Sequence, residues 1–153
     1  MTRLFIRIQL CMLCLMFILP CQAQIATWLV SPSYDKIDPI APNMLRVMSQ
    51  GKFGLMDYEG KVFLQCQYAS VSKFCNGYSL VQDADGKLRA IVSLSGEVTY
   101  MSEDYWCDKQ YPYFCEELLA VRNQRGIWGF ITPKGAVQVP LRYLYACPFS
   151  CCF

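Results

Sequence analysis

The sequence predicts an all-β protein built from tandem antiparallel β-hairpins, with three short strands to each repeat, in an open, curled array. Residues 51–74 recur at residues 126–149, with a shift of 75 residues and no gap. Glycines occupy the turn positions of both copies, and aromatic and β-branched residues fill the segments between them. Periods of this size are typical of stacked units that bury a core only against their neighbours.

Identical residues fix the alignment of the two copies. Six of the 24 aligned pairs are identical: Gly51 with Gly126, Gly54 with Gly129, Gly60 with Gly135, Val62 with Val137, Tyr68 with Tyr143, and Phe74 with Phe149. A degenerate third copy lies between them, because Gly86 and Gly96 repeat the turn glycines and Phe114 repeats the phenylalanine. The shift therefore spans two repeats of about 35 to 40 residues.

These alignments divide the chain into five segments. We expect a secretory signal peptide at 1–23, a partial first repeat at 24–50, a repeat at 51–85, a degenerate repeat at 86–124 and a truncated last repeat at 125–153. The partial copy rests on Tyr34, Ile37, Ile40 and Val47, which have the spacing of Tyr68, Val71, Phe74 and Val81. Residues 102–113 are an insertion in the degenerate repeat, and such insertions map to loops.

Each repeat has glycines at two kinds of position, in a hairpin turn and inside a strand. Gly60 and Gly135 stand where a hairpin turn needs a positive φ. Gly54 and Gly129 fall inside a strand, where a glycine marks a bulge or a close backbone approach. The aromatic residue before it covers a neighbouring strand, so we expect Trp128 and Gly129 to be structural.

The pattern of Trp128-Gly129, an aromatic residue, a turn, Gly135, Val137, Tyr143 and Phe149 resembles the WG (or KWG) repeat, a β-rich tandem repeat found mostly in bacterial proteins. The resemblance covers residues 34–149. Only Trp128-Gly129 carries the signature dipeptide intact; Phe53-Gly54 is a variant and Leu88-Arg89 has lost both residues. The resemblance implies a binding or scaffolding module, and it supplies no catalytic residues.

The N-terminus has the features of a secretory signal. Arg3 and Arg7 provide positive charge, residues 8–19 are apolar but too short to span a bilayer, and small residues precede Gln24. We expect cleavage after Ala23 and an exported product that is periplasmic, cell-surface or secreted. A lipoprotein with Cys21 acylated is the alternative, although Pro20 argues against it. No later segment reads as a transmembrane helix.

Composition argues against several functions. Residues 24–153 carry twelve basic and twelve acidic residues, and a neutral chain is a poor match for nucleic acid. The sequence contains no histidine, which removes the commonest nucleophile arrangements. Glu116 and Glu117 are adjacent, and adjacent strand residues point to opposite faces, so they form no acid–base pair. We therefore expect no enzyme, no cofactor and no metal site.

Ten cysteines are present, seven of them after the predicted leader. Cys75 and Cys115 stand one repeat apart after a phenylalanine, and Cys66 and Cys107 are nearly equivalent. Stacking of the repeats predicts disulfides Cys75–Cys115 and Cys66–Cys107 in an exported protein. The alternative is that these cysteines are small buried apolar residues.

The insertion supplies the candidate binding residues. Tyr105, Trp106, Tyr111 and Tyr113 are candidates for an aromatic platform that recognises a protein, a peptide or a sugar. The alternative is that these rings only cover the degenerate repeat. We expect a non-enzymatic interaction or scaffolding module that binds a protein or peptide. A carbohydrate-binding module and a structural fragment of a longer WG-repeat protein are the alternatives.

The last repeat lacks its closing strand, because Cys151-Cys152-Phe153 follow where that strand is due. An unpaired strand edge is a template for pairing with another chain. We expect self-association through this incomplete C-terminal repeat, reinforced by Cys147, Cys151 and Cys152.

Overall fold

The computed structural model describes residues 33–146, which form eleven β-strands and no helix. The strands are β1 Lys36–Ala41, β2 Met44–Ser49, β3 Lys52–Met56, β4 Val62–Tyr68, β5 Ser70–Val71, β6 Tyr78–Gln82, β7 Lys87–Ser93, β8 Val98–Cys107, β9 Leu119–Arg122, β10 Trp128–Ile131 and β11 Val137–Tyr143. Within this range no helix exists that could traverse a bilayer. The predicted signal peptide, Phe149, and the cysteines Cys147, Cys151 and Cys152 lie outside the described residues.

The strands form two antiparallel sheets in which spatial order follows chain order. One sheet contains β1 to β4, and the other contains β5 to β11. Neither sheet closes on itself within residues 33–146, which confirms the prediction of an all-β, open antiparallel array. The boundary between the sheets falls at Ala69, between the end of β4 and the start of β5.

Three three-stranded units make up the array: β2–β4, β6–β8 and β9–β11. The chain that leaves one unit pairs with the first strand of the next, so that Val71 lies opposite Val81 and Cys107 lies opposite Val121. Ile37 pairs with Val47 in the same way, at the spacing expected from the alignment of the partial first copy. We call this pairing the strand handover.

The two largest apolar clusters lie between units, and two smaller clusters lie within the first and third units. One cluster joins the first unit to the second and includes Leu55, Leu64, Val71, Val81 and Val92. The other joins the second unit to the third and includes Leu88, Ile91, Phe114, Leu119, Val121 and Ile131. Each unit therefore depends on its neighbour for burial, as stacked repeats do.

Most hairpin turns share one device, a polar side chain that holds the turn before a glycine. The Asp83 Oδ1 accepts hydrogen bonds from the amides of Asp85 at 3.1 Å and Lys87 at 2.9 Å. Gly86, with φ +74°, donates its amide to the Asp83 carbonyl. Asp57 and Asn123 hold their turns in the same way, because their short side chains compete well for nearby backbone amides.

The glycine inside a strand allows two backbones to approach closely. A Cβ added to Gly54 would lie 2.5 Å from the Leu64 carbonyl oxygen, and one added to Gly129 would lie 2.6 Å from that of Val139. Three residues bulge opposite each of these glycines, 65–67 and 140–142.

The middle unit has Arg89 in place of this glycine. Four residues, 101–104, bulge opposite Arg89 instead of three. The longer bulge accommodates the arginine, whose Nε donates to Asp83 Oδ2 at 2.8 Å. The degenerate repeat thus compensates for its lost glycine with one extra residue in β8.

An arginine connects the two sheets where the chain passes from one to the other. Arg46 on β2 donates to the Val71 carbonyl oxygen on β5 at 2.8 Å and to Asp38 Oδ2 at 3.0 Å. Hydrogen bonds from Arg46 and Lys36 lower the pKa of Asp38, so the carboxylate stays charged at neutral pH. The guanidinium carbon lies 5.4 Å from the centre of the Phe53 ring.

Glu116 and Glu117 occupy a tight turn, so the expectation that they lie on a strand was wrong. Their φ values are +48° and +60°, and Cys115 and Leu118 exchange backbone hydrogen bonds across them. The equivalent turn of the preceding unit is Asn76-Gly77, at φ +49° and +87°. Asparagine and glycine suit this backbone, whereas glutamate has a steric penalty there.

We predict that Gly129→Ala destabilises the protein by about 1 to 3 kcal/mol, because its Cβ would overlap the Val139 carbonyl. Arg89→Ala is the matched control at the equivalent position of the middle unit. It should cost less than about 1 kcal/mol, since the wider bulge already admits a side chain. Urea denaturation measures both. Equal losses for the two variants would contradict the close-approach explanation.

We also predict that the double substitution Glu116→Asn, Glu117→Gly raises the free energy of unfolding by about 1 to 2 kcal/mol, because it removes the left-handed strain. Glu116→Gln with Glu117→Gln removes the same charges but keeps the strain. That control should leave thermal stability close to the parent value. If the glutamine pair stabilises as much as Asn-Gly, charge repulsion is the cause and strain is not.

Candidate functional site

A row of two cationic and three aromatic side chains crosses five strands of the larger sheet. Lys87 on β7 lies opposite Trp106, which lies opposite Arg122 on β9. Arg122 lies opposite Trp128, and Trp128 lies opposite Tyr143 on β11. Directly opposed residues of an antiparallel sheet share a face. We call these five residues the cation–aromatic row.

Trp106 is the most constrained member of the row. The Lys87 Nζ lies 5.4 Å and the Arg122 Cζ lies 5.7 Å from the centre of its ring. Its indole Nε1 donates a hydrogen bond of 3.2 Å to the Asp85 carbonyl oxygen. Because the two cations stand on the strands at either side, they hold the indole from both flanks. Cation–π contacts of this kind contribute about 0.5 to 1 kcal/mol each at partly exposed sites.

A cleft of about 730 Å³ opens beside the row. Trp106, Trp128 and Arg122 line it from the sheet, and Asp85 and Gly86 line it from the β6–β7 turn. Residues 108–110 and 112 line it from the segment that follows β8. Its volume falls within the range of about 300 to 1,000 Å³ that is typical of ligand pockets. The lining therefore combines aromatic surface, charge and the side chains of Gln82 and Gln110, whose amide nitrogens donate to the Gly86 carbonyl and the Tyr111 hydroxyl.

The charges of the cleft are unevenly partnered. Lys87 forms an ion pair with Asp104 at 3.0 Å, just outside the cleft. Asp108 is a lining residue, but its Oδ1 already accepts the amide hydrogens of Gln110 at 2.6 Å and Tyr111 at 3.3 Å. Within residues 33–146, Arg122 and Lys109 take part in no ion pair.

Tyr105 does not belong to the predicted binding platform. It is 6% exposed and packs in the core between the second and third units. It lies opposite Leu88, just as Tyr68 lies opposite Phe53 and Tyr143 lies opposite Trp128. Tyr105 is therefore the repeat tyrosine of the middle unit. Residues 102–107 form the end of β8, so the predicted loop is confined to the part after Cys107.

The remaining predicted aromatics separate into two places. Trp106 is half-buried and lines the cleft. Tyr111 and Tyr113 contact each other edge to face at 6.2 Å between ring centres, and neither is among the described residues that line the cleft. The structure thus brings only one of the four predicted aromatic residues, Trp106, to the cleft. The other aromatic residue that lines the cleft is Trp128.

Arg122, Lys109, Gln82 and Gln110 were missed by sequence reasoning. The strand pairing makes Trp106 the equivalent of Ser70 and Arg122 the equivalent of Gln82. Aligning Tyr105 with Tyr68 places Trp106 at Ala69, one residue away from this register. The one-residue offset appears only in the strand pairing, so sequence reasoning had no signal for Arg122.

Both predicted disulfides are wrong. Cys66, Cys75 and Cys107 are free thiols. Cys107 is equivalent to Val71 rather than to Cys66. Cys107 pairs with Val121 at the second handover, as Val71 pairs with Val81 at the first. Cys75 is exposed whereas Cys115 is buried, so equivalent positions do not bring these two side chains together.

Cys115 is disulfide-bonded nevertheless. The other three cysteines of the described part, Cys66, Cys75 and Cys107, are free. Burial raises the pKa of the Cys107 thiol to about 12, which leaves it protonated at neutral pH. A protonated, buried thiol is a poor nucleophile.

Successive antiparallel units joined by strand handovers define the molecule as a tandem β-repeat protein. Residues 53–87 match the family model of the WG containing repeat. This match supports the resemblance to the WG repeat that the motifs predicted, and it covers one repeat from β3 to the start of β7. A comparison with curated proteins found no match.

Proposed function

We propose that the protein is a non-enzymatic interaction module that binds a peptide segment of a protein partner in the cleft beside Trp106. The observation that carries this proposal is the fixed, half-exposed indole at the edge of a cleft of about 730 Å³. A pre-positioned aromatic side chain loses little conformational entropy on binding, which is what makes tryptophan a frequent anchor at interfaces.

The flanks of Trp106 favour a peptide over a sugar. A pyranose ring binds tryptophan by lying on its face, but Lys87 and Arg122 already lie over the ring at 5.4 and 5.7 Å. A sugar would have to displace one of these cations. A peptide can instead contact the indole edge while its backbone meets the amides of Gln82 and Gln110.

Binding without catalysis is supported by the side-chain chemistry. The sequence contains no histidine, and the cysteine that lines the cleft has a pKa of about 12. A nucleophile needs a partner base or a depressed pKa, and Cys107 has the opposite shift.

Export is the second part of the proposal. The N-terminal sequence has the charge, the apolar stretch and the small residues of a secretory signal. The disulfide of Cys115 supports an oxidising compartment, where such bonds persist. An extracytoplasmic binding protein is consistent with both features.

To test binding, a displayed library of random dodecapeptides is selected on residues 24–153 with reductant absent. We expect enriched peptides that bind the parent and lose at least about tenfold in affinity for Trp106→Ala, as expected for an interface anchor. Tyr100→Ala is the matched control, because Tyr100 is 62% exposed and lies outside the cleft. Binding of glycans on an array, with no peptide enriched, would overturn the peptide proposal and support the sugar alternative.

To test export, the protein is expressed from its full sequence in a Gram-negative host, and the extracytoplasmic fraction is analysed by intact mass. We expect the chain to begin at Gln24. Alkylation before reduction should label Cys75, which is exposed, and should leave Cys115 unlabelled. Recovery of a chain that retains residues 1–23, or only in the cytoplasm, would refute this part.

A further inference from the structure

We propose that the cleft selects a peptide segment with a single acidic side chain, whose carboxylate binds Arg122. This inference rests on the proposed function, because it names the chemical class of the peptide that the same cleft accepts. It depends on three observations: the unpaired cations of the cleft, the position of Arg122 in the cation–aromatic row, and the acidic residues at the rim.

The first observation is the distribution of ion pairs. Four cationic side chains of the described part, Lys36, Arg46, Lys87 and Arg89, lie within 4.0 Å of a carboxylate. Arg122 and Lys109 line the cleft and are not among them. A half-buried guanidinium has lost part of its hydration without gaining an anion, so a ligand carboxylate there recovers electrostatic energy.

The second observation is how Arg122 is held. It stands on β9 between Trp106 and Trp128, which lie directly opposite it on the neighbouring strands. Its guanidinium carbon lies 5.7 Å from the centre of the Trp106 ring. A guanidinium held beside an aromatic ring can still donate N–H groups to a carboxylate, and the contact with the ring restricts its orientation.

The third observation limits the number of acidic groups. Asp85 and Asp108 also line the cleft, so a run of acidic residues would meet like charges there. Asp108 is partly neutralised by the two amides that its Oδ1 accepts. One carboxylate at Arg122, with uncharged residues on either side, is the arrangement that gains attraction without repulsion.

The first strand handover provides an internal comparison. Ser70 and Gln82 occupy the positions that Trp106 and Arg122 occupy at the second handover. The first handover therefore carries neither the indole nor the charge. Of these two handovers, only the second has the residues that recognise a carboxylate.

The experiment uses three pools of capped heptapeptides that differ only at the central residue, which is Glu, Gln or Lys. The flanking positions are randomised over uncharged residues. Retention on immobilised residues 24–153 is quantified by mass spectrometry at low ionic strength. We expect about five- to tenfold greater retention of the Glu pool than of the Gln pool, the size of one partly exposed charge-assisted hydrogen bond.

Arg122→Gln should reduce the ratio of Glu to Gln retention to about one. Arg125→Gln removes the same charge from an exposed turn outside the cleft, and this variant should keep the parent ratio. Circular dichroism confirms that both variants are folded. Equal ratios for the two variants would overturn the inference, because the preference would then come from net charge.

The remaining outcomes separate this inference from the proposed function. Equal retention of the Glu and Gln pools, lost in Trp106→Ala, would overturn the carboxylate inference and leave peptide binding intact. Retention of no pool by the parent would overturn both. Retention of oligogalacturonate in a parallel arm, with no pool retained, would assign the carboxylate site to an acidic glycan and refute the peptide.

Discussion

The architecture depends on the strand handover, in which the chain leaving one unit becomes the first partner of the next. Val71 with Val81 and Cys107 with Val121 are the apolar pairs that carry it. All four side chains are buried, and the two largest core clusters form around them. A unit without this pairing would have an exposed apolar face, so the handover is what converts separate hairpins into a continuous fold.

The candidate site is a consequence of the same handover. Pairing of Cys107 with Val121 fixes the register of the next residues, Trp106 and Arg122, and so places an indole beside a guanidinium. The three extra residues between Tyr105 and Phe114, compared with Tyr68 and Phe74, give the chain the length to fold over as the second wall of the cleft. A repeat that joined its neighbour by the shorter link would have the row but no cleft.

Sequence periodicity was sufficient to predict the fold but not to predict the candidate site. Glycine spacing fixed the turns, because few other residues adopt positive φ, and the pairing of Ile37 with Val47 followed directly from the repeat. The site required the alignment of the middle unit, where Leu88-Arg89 replaces the signature and β8 has an extra residue in its bulge. That shift concealed Tyr105 as the repeat tyrosine. Disulfide pairing failed for a related reason, since equivalent positions in stacked units differ in burial.

The degeneration of the middle repeat and the appearance of a site have a common physical origin. Arg89 in place of glycine requires the wider bulge at 101–104, and Asp104 within that bulge forms the ion pair with Lys87. Lys87 in turn lies over Trp106, whose indole is held by the Asp85 carbonyl in the turn that Asp83 stabilises. Substitutions that weaken the repeat signature therefore belong to one connected network that orients Trp106. Units that keep the glycine retain the regular repeat structure. The middle unit, which has lost it, contributes Lys87 and Trp106 to the candidate site.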